Sequence, residues 1–135
     1  MYNHDVQIRV RYADTDQMGY VYYGNYAAYY EVARVESFRH LGLTYKKLEE
    51  SGVMMPALEL KCNFLLPAKY DDLLTIKVTI PEMPRLKIRY LYEIRNEAGK
   101  LLNHGETVLV FINMETGKPI RIPEAMKDLL APYFA

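Results

Sequence analysis

Residues 14–26 read Asp14-Thr15-Asp16-Gln17-Met18-Gly19-Tyr20-Val21-Tyr22-Tyr23-Gly24-Asn25-Tyr26, and the fold turns on this stretch. On its N-terminal side Val6, Ile8, Val10 and Tyr12 alternate with Gln7, Arg9 and Arg11, the period of two of a strand with one wet face. On its C-terminal side residues 25–41 carry a helical pattern, and Gly42 follows in the position just past a last turn. A strand therefore runs through an acidic, Gly-containing loop straight into a long helix. Such a loop sets the Asp16 carboxylate ahead of a helix N-terminus, where unpaired N–H groups and the positive end of the dipole can receive a developing oxyanion.

Outward from this junction, Tyr26, Tyr30, Ala33, Ser37 and Leu41 form an uncharged stripe at helical spacing. Ala28, Val32, Val35 and Phe38 make much of the remaining helix surface apolar, which predicts a largely enclosed helix. Residues 44–51 predict a short helix capped by Thr44 and ended by Gly52. Beyond Gly52 the period changes to two. Leu58, Leu60, Cys62, Phe64 and Leu66 alternate with Glu59, Lys61 and Asn63; Leu74, Ile76, Val78 and Ile80 alternate with Thr75, Lys77 and Thr79. Leu86, Ile88, Tyr90, Tyr92 and Ile94 repeat the pattern before a turn at residues 96–99. Residues 107–112 are nearly continuous apolar sequence, as in a central strand. Pro67, Pro81 and Pro84 fall in the breaks, where a missing N–H costs no ladder bond, and a C-terminal helix is expected to start near Pro123. The order predicts an α+β fold, an antiparallel sheet wrapped around one long helix, in a single domain over residues 1–135.

Composition narrows the function classes. Seventeen basic and seventeen acidic residues cancel, so no global field steers the chain to nucleic acid or an anionic membrane. A single cysteine, Cys62, excludes an intramolecular disulfide and suits a reducing cytoplasm. Nowhere do eighteen apolar residues run together, and Met1 to Asp5 lack a secretory pattern, so no membrane span and a cytoplasmic location are expected. Thirteen tyrosines with no tryptophan, clustered between Tyr20 and Tyr30, suit a cleft or subunit contact where a ring is buried and its hydroxyl meets a partner.

The pattern Asp14-x-Asp16-x-x-Gly19, followed by the pair Tyr22-Tyr23 and by Asn25-Tyr26 opening a helix, resembles the 4-hydroxybenzoyl-CoA thioesterase family of hot-dog-fold acyl-CoA hydrolases. The resemblance spans essentially the whole chain. It implies that Asp16 is the catalytic carboxylate and that the Tyr23 and Gly24 N–H groups lie at the oxyanion site. It also implies a homodimer or dimer of dimers with active sites at the subunit boundary. Many relatives carry His or Pro where this chain has Gly24, so any part played by that side chain is absent.

Thioester hydrolysis needs a nucleophile or an activated water on one side of the carbonyl and hydrogen-bond donors for its oxygen on the other. Asp16 and the helix start offer both, with Asp16 as nucleophile or as general base. Glu31 and Glu36, on the helix, are competing carboxylates, and Glu31 is alternatively a support for the site. The acyl group is expected beside Asn25, Tyr26 and Tyr30, and Arg85 and Lys87, in a row with Arg89, are candidates for the CoA phosphates. His4, His40 and His104 have no ligand-like spacing, so no metal is expected, and no cofactor either, CoA entering as part of the substrate. No G-x-S-x-G elbow or phosphate loop is present. The expectation is an acyl-CoA thioesterase. The alternatives are an acyl-carrier-protein thioesterase and a non-catalytic hot-dog module that binds acyl groups.

Overall fold

The alternating runs become strands in a computed structural model that describes residues 1–134. In chain order the strands are β1 (Tyr2–Arg9), β2 (Val53–Met54), β3 (Ala57–Phe64), β4 (Leu73–Ile80), β5 (Lys87–Arg95), β6 (Leu101–Val110) and β7 (Ile112–Asn113). The helices are α1 (Tyr26–His40), α2 (Tyr45–Glu50) and α3 (Glu124–Leu130). Five strands form one antiparallel sheet in the order β1-β4-β5-β6-β3. β6 is an interior strand, as its apolar C-terminal half predicts, although β5 holds the centre. The two-residue ladder of β2 with β7 is too short to leave a period in the sequence. No helix among the described residues is long and apolar enough to cross a membrane.

The caps follow the residues that predict them. Thr44 Oγ1 accepts the Lys47 N–H at 3.1 Å at the start of α2, and Gly42, Gly52 and Gly99 take the left-handed backbone that ends a helix or turns a hairpin. α1 lies across β1 and β4 and buries Tyr26, Tyr29, Tyr30, Ala33, Ser37 and Phe38 against the sheet. Ala27, Ala28, Glu31 and Val32 stay exposed, so the helix expected to be enclosed is covered on one face only. A single five-stranded sheet has one face to offer it, and the second apolar side of α1 has no cover among the described residues.

The helix seats closely where Tyr30 lies flat on Tyr92, with ring centroids 4.1 Å apart and planes 4° from parallel. Gly105 on β6 makes room for it. A Cβ there would stand 2.5 Å from the Lys61 carbonyl oxygen and against the Tyr30 hydroxyl. At the far edge, β3 pairs with β6 alone among the described residues, and Leu58, Leu60 and Phe64 are each more than half exposed. An open strand edge flanked by exposed leucines is a surface that proteins ordinarily cover or pair.

Candidate active site

The acidic loop uses its two aspartates differently. Asp14 is buried; its Oδ2 accepts the Arg11 N–H at 3.0 Å and the Tyr29 hydroxyl at 2.9 Å, and its Oδ1 accepts the Arg11 guanidinium at 3.0 Å. Burial pushes this carboxyl up, but the hydrogen bonds from Arg11 and Tyr29 outweigh it and hold the group below its usual range. The Asp14 carbonyl oxygen accepts the Tyr22 N–H at 2.9 Å and the Asn25 side-chain amide at 2.8 Å. Asp14 thus ties the end of β1 to the first turns of α1. Nothing in the motif alone separates this anchoring role from that of Asp16.

Asp16 is half-buried at the head of a tight turn. Its Oδ1 accepts the Met18 N–H at 2.9 Å and, at 3.4 Å, that of Tyr20, while its backbone N–H reaches the Tyr20 carbonyl at 2.9 Å. Gly19, with φ +79°, supplies the left-handed residue that the turn requires. The Val21 N–H donates to the Ala68 carbonyl at 2.8 Å, which fastens the turn to the segment ahead of β4. Oδ2 of Asp16 has no hydrogen-bond partner among the described residues.

The chain enters α1 through a 3-10 turn, Tyr23–Asn25. The Asn25 N–H bonds to the Tyr22 carbonyl at 2.9 Å, whereas the Tyr23 and Gly24 N–H groups have no acceptor among the described residues. A Cβ at position 24 would stand 2.7 Å from the half-exposed Tyr22 ring, so a larger residue here would have to displace that ring. That ring fills the space a larger residue would occupy.

A cleft of about 250 Å³ opens between this turn and the end of β3, bounded by Asp16, Tyr23, Tyr26, Phe64, Leu65 and Pro67 among others. Tyr26 meets Phe64 edge to face at 5.2 Å. Tyr30 does not reach the cleft. It is fully buried behind that wall, with its hydroxyl on Asn103 Oδ1 and on Cys62 Sγ at 3.4 Å. Burial raises the hydroxyls of Tyr26, Tyr29 and Tyr30, which keeps all three neutral at physiological pH. Asn25 is engaged on Asp14, and Glu31 is exposed on the outer face of α1, away from the cleft lining. Glu36 pairs with Arg39 at 3.1 Å. His4 and His40 stack at 4.5 Å, and no group of three or more His, Cys, Asp or Glu side chains among the described residues could hold a metal.

The cationic row of β5 is broken by its own neighbours. Arg89 is committed to Glu82 at 3.0 Å and Glu106 at 3.2 Å, while Arg85 and Lys87 are exposed and form no ion pair among the described residues. Arg85 shares a groove with Arg121, Lys127 and the Glu124 carboxylate, charges from two distant segments that strand periodicity cannot bring together. This cluster is far from Asp16. Phe64, on the Asp16 cleft, pairs with Asn103, which pairs with Ile94; Lys87 lies seven residues back along β5, about 23 Å at the rise of a strand.

Residues 10–130 match the model of the thioesterase-like superfamily. The chain belongs to this superfamily. Among its thioesterase-like relatives is the acyl-CoA thioester hydrolase YbgC of Escherichia coli, 32% identical over 119 residues that make up 88% of this chain and 89% of that protein. The acyl-CoA thioesterase YbgC of Haemophilus influenzae is 33% identical over 122 residues, 89% of this chain and 88% of its own. The crystal structure of DHNA-CoA thioesterase from Staphylococcus aureus superimposes with a TM-score of 0.90 at 37% identity, covering 98% of this chain and 89% of that one. The hot-dog fold expected from the loop motif is therefore the fold of the chain. The likeness holds at the level of the thioesterase-like superfamily, and the narrower 4-hydroxybenzoyl-CoA family is not what these matches single out.

Proposed function

We propose that this chain hydrolyses acyl-CoA thioesters, with Asp16 as the reacting carboxylate and the Tyr23 and Gly24 N–H groups as the oxyanion site. The observation that carries the reading is one cleft bordered both by Asp16, whose Oδ2 has no partner among the described residues, and by Tyr23, whose N–H, like that of the adjoining Gly24, has no acceptor among them at the start of α1. As nucleophile, Asp16 would bond to the thioester carbon, the C–S bond would break and CoA would leave as its thiolate; water would then hydrolyse the anhydride, restoring the carboxylate, and its proton would pass to the thiolate. As general base, Asp16 would take a proton from the water attacking the thioester carbon and hand it to the thiolate as the C–S bond breaks. Either way, negative charge grows on the carbonyl oxygen, where two backbone donors and the α1 dipole favour it. Relatives named for acyl-CoA substrates support CoA over a carrier protein as the thiol portion.

The same reading calls for a second copy of the chain. A two-fold axis normal to the sheet would pair the open β3 edge antiparallel with its own copy and cover Leu58, Leu60 and Phe64. Antiparallel pairing reverses the partner's sheet, which brings Arg85 and Lys87 of the partner subunit to the Asp16 end. They would lie three strand spacings away, about 14 Å for a pairing centred on the strand. A CoA arm would then cross the boundary, its phosphates on one subunit and its thioester at Asp16 of the other.

The deciding experiment is thiol release from a panel of acyl-CoAs, with carrier-protein thioesters alongside. Turnover of acyl-CoAs that disappears in Asp16→Asn supports the reading. Preference for carrier-protein thioesters would move the substrate class, and binding of acyl-CoAs without turnover would make the chain an acyl-binding module.

A further inference from the structure

Asp16 borders a second cleft, of about 570 Å³, to which α1 contributes no wall. Its sides are the rings of Tyr12 and Tyr70, in edge-to-face contact at 5.3 Å and 64°, with Thr15, Gln17 and Gly19 completing the rim. Tyr12 is 78% exposed and Tyr70 55%, so neither ring belongs to the core. Both are nevertheless held on stiff backbone. Tyr12 opens a 3-10 turn whose carbonyl takes the Thr15 N–H at 3.2 Å and the Thr15 hydroxyl at 2.7 Å. Tyr70 lies in a turn closed by the Lys69 N–H on Asp72 Oδ2 at 2.9 Å and the Asp72 N–H on the Lys69 carbonyl at 3.1 Å. That turn is fastened to the end of β1 by the Asp71 N–H on the Val10 carbonyl at 3.1 Å and by the Arg9 guanidinium on the Asp71 carbonyl at 2.8 Å. Asp71 closes the turn with a left-handed backbone, φ +67°, which aspartate accepts more readily than most residues with a Cβ. A cross-braced turn thus fixes one exposed tyrosine against another beside the carboxylate read as reacting.

We infer that Tyr12 and Tyr70 form a stacking subsite for a flat aromatic group of the thioester substrate; the inference rests on the reading of Asp16 as the reacting carboxylate. Tyrosine rings hold planar π-systems by offset or edge contact, and the Thr15 hydroxyl and Gln17 amide can hydrogen-bond to polar atoms on the ring. Two parts of an acyl-CoA have this chemistry, an aromatic acyl group and the adenine base.

Steady-state kinetics on four substrates separate them: benzoyl-CoA, hexanoyl-CoA and the matching S-pantetheine thioesters, which lack adenine. The proteins are wild type and the double variant Tyr12→Leu, Tyr70→Leu, which keeps apolar bulk without the π faces. Because both rings are exposed, the unfolding midpoint should stay within a few degrees. KM should rise about tenfold for substrates carrying the stacked ring, with kcat little changed. A penalty on both benzoyl esters that spares hexanoyl-CoA identifies the acyl ring. One on both CoA esters that spares both pantetheine esters identifies adenine. Hexanoyl-pantetheine carries neither ring and should be unaffected. An equal loss on all four, or no loss on any, overturns the subsite while leaving Asp16 in place. Absence of turnover by wild type on all four would instead overturn the reading of Asp16.

Discussion

Two carboxylates share one loop, Asp14 as an anchor and Asp16 as the proposed reacting group. Asp14 has every oxygen occupied and is buried, whereas Asp16 keeps one oxygen open to a cleft. Replacing Asp16 with Asn preserves size and the turn's acceptor, so kcat should fall by about 10²–10⁴-fold with KM little changed. Glu31→Gln should remain near wild type, since Glu31 is about 9 Å further along the helix axis and faces outward. Near-native turnover in Asp16→Asn together with loss in Glu31→Gln would transfer the chemistry to the helix. Asp14→Asn makes the opposite kind of variant. It should lower stability by about 1–3 kcal/mol through loss of charge-assisted bonds, and lower activity only as far as the loop loosens. The sign of its pH dependence follows from a folded-state pKa below the ordinary 3.8. The stabilisation is fully present above that ordinary value and disappears as pH falls through the depressed one. The gap in unfolding midpoint between wild type and Asp14→Asn should therefore be constant from about pH 5 to 8 and close below about pH 4. A gap that widens in acid would show that Asp14 is not ionised in the folded loop.

Among the elements, the seam between α1 and β6 is set by one glycine. Gly105→Ala would drive a methyl into the Lys61 carbonyl and the Tyr30 hydroxyl, and backbone cannot step aside as a side-chain tip can. Destabilisation of about 1–3 kcal/mol is expected in chemical denaturation. An unchanged midpoint would mean that Tyr30 does not lie flat on the sheet. An isolated glycine inside a strand signals close approach, yet sequence gives no hint that the approaching group is a tyrosine 75 positions earlier. That contrast holds across the fold. The strands built on Leu74 to Ile80 and Ile88 to Ile94 could be read because burial on one face writes a period of two into the chain. The helix start, the turn at Gly99 and the caps at Thr44 and Gly42 could be read because their causes are local. What covers α1 could not, since hydrophobicity reports how apolar a surface is and not what meets it. Of the proposed site, Asp16, Tyr23 and Gly24 share one contiguous stretch, so their closeness could be read from the chain order. The bond from Tyr29 to Asp14, the withdrawal of Tyr30 behind the cleft wall, the acidic partners of Arg89 and the meeting of Tyr12 with Tyr70 all depend on chain returns that no local pattern encodes.

At the scale of the whole molecule, the distance between Asp16 and the exposed cations Arg85, just ahead of β5, and Lys87, at its start, is the central fact. Within one chain they occupy opposite ends of the sheet, so the proposed phosphate contacts of Arg85 and Lys87 and the proposed cleavage at Asp16 would not belong to one subunit unless the substrate spanned the sheet lengthwise. Antiparallel pairing of β3 removes the difficulty, and Leu60→Arg, on the exposed face of that edge, should yield a folded monomer with little activity. The stricter test uses complementation. Asp16→Asn lacks the carboxylate, and the double variant Arg85→Ala, Lys87→Ala should show a raised KM with kcat largely kept, because distant contacts bind ground and transition states alike. When equal amounts of the two are unfolded together and refolded, half of the dimers combine one chain of each kind. If cations and carboxylate come from different subunits, each mixed dimer holds one intact site, assembled from the wild-type Asp16 of one chain and the wild-type cations of the other. Activity at low acyl-CoA should then recover to about a quarter of wild type, half the dimers each with one of two sites. Cations acting within their own subunit predict no recovery above the mean of the two parents, since every site would carry one lesion or the other. That result, obtained with dimers verified by light scattering, would return the CoA phosphates to the subunit that cleaves the thioester and would require a binding path along the length of β5.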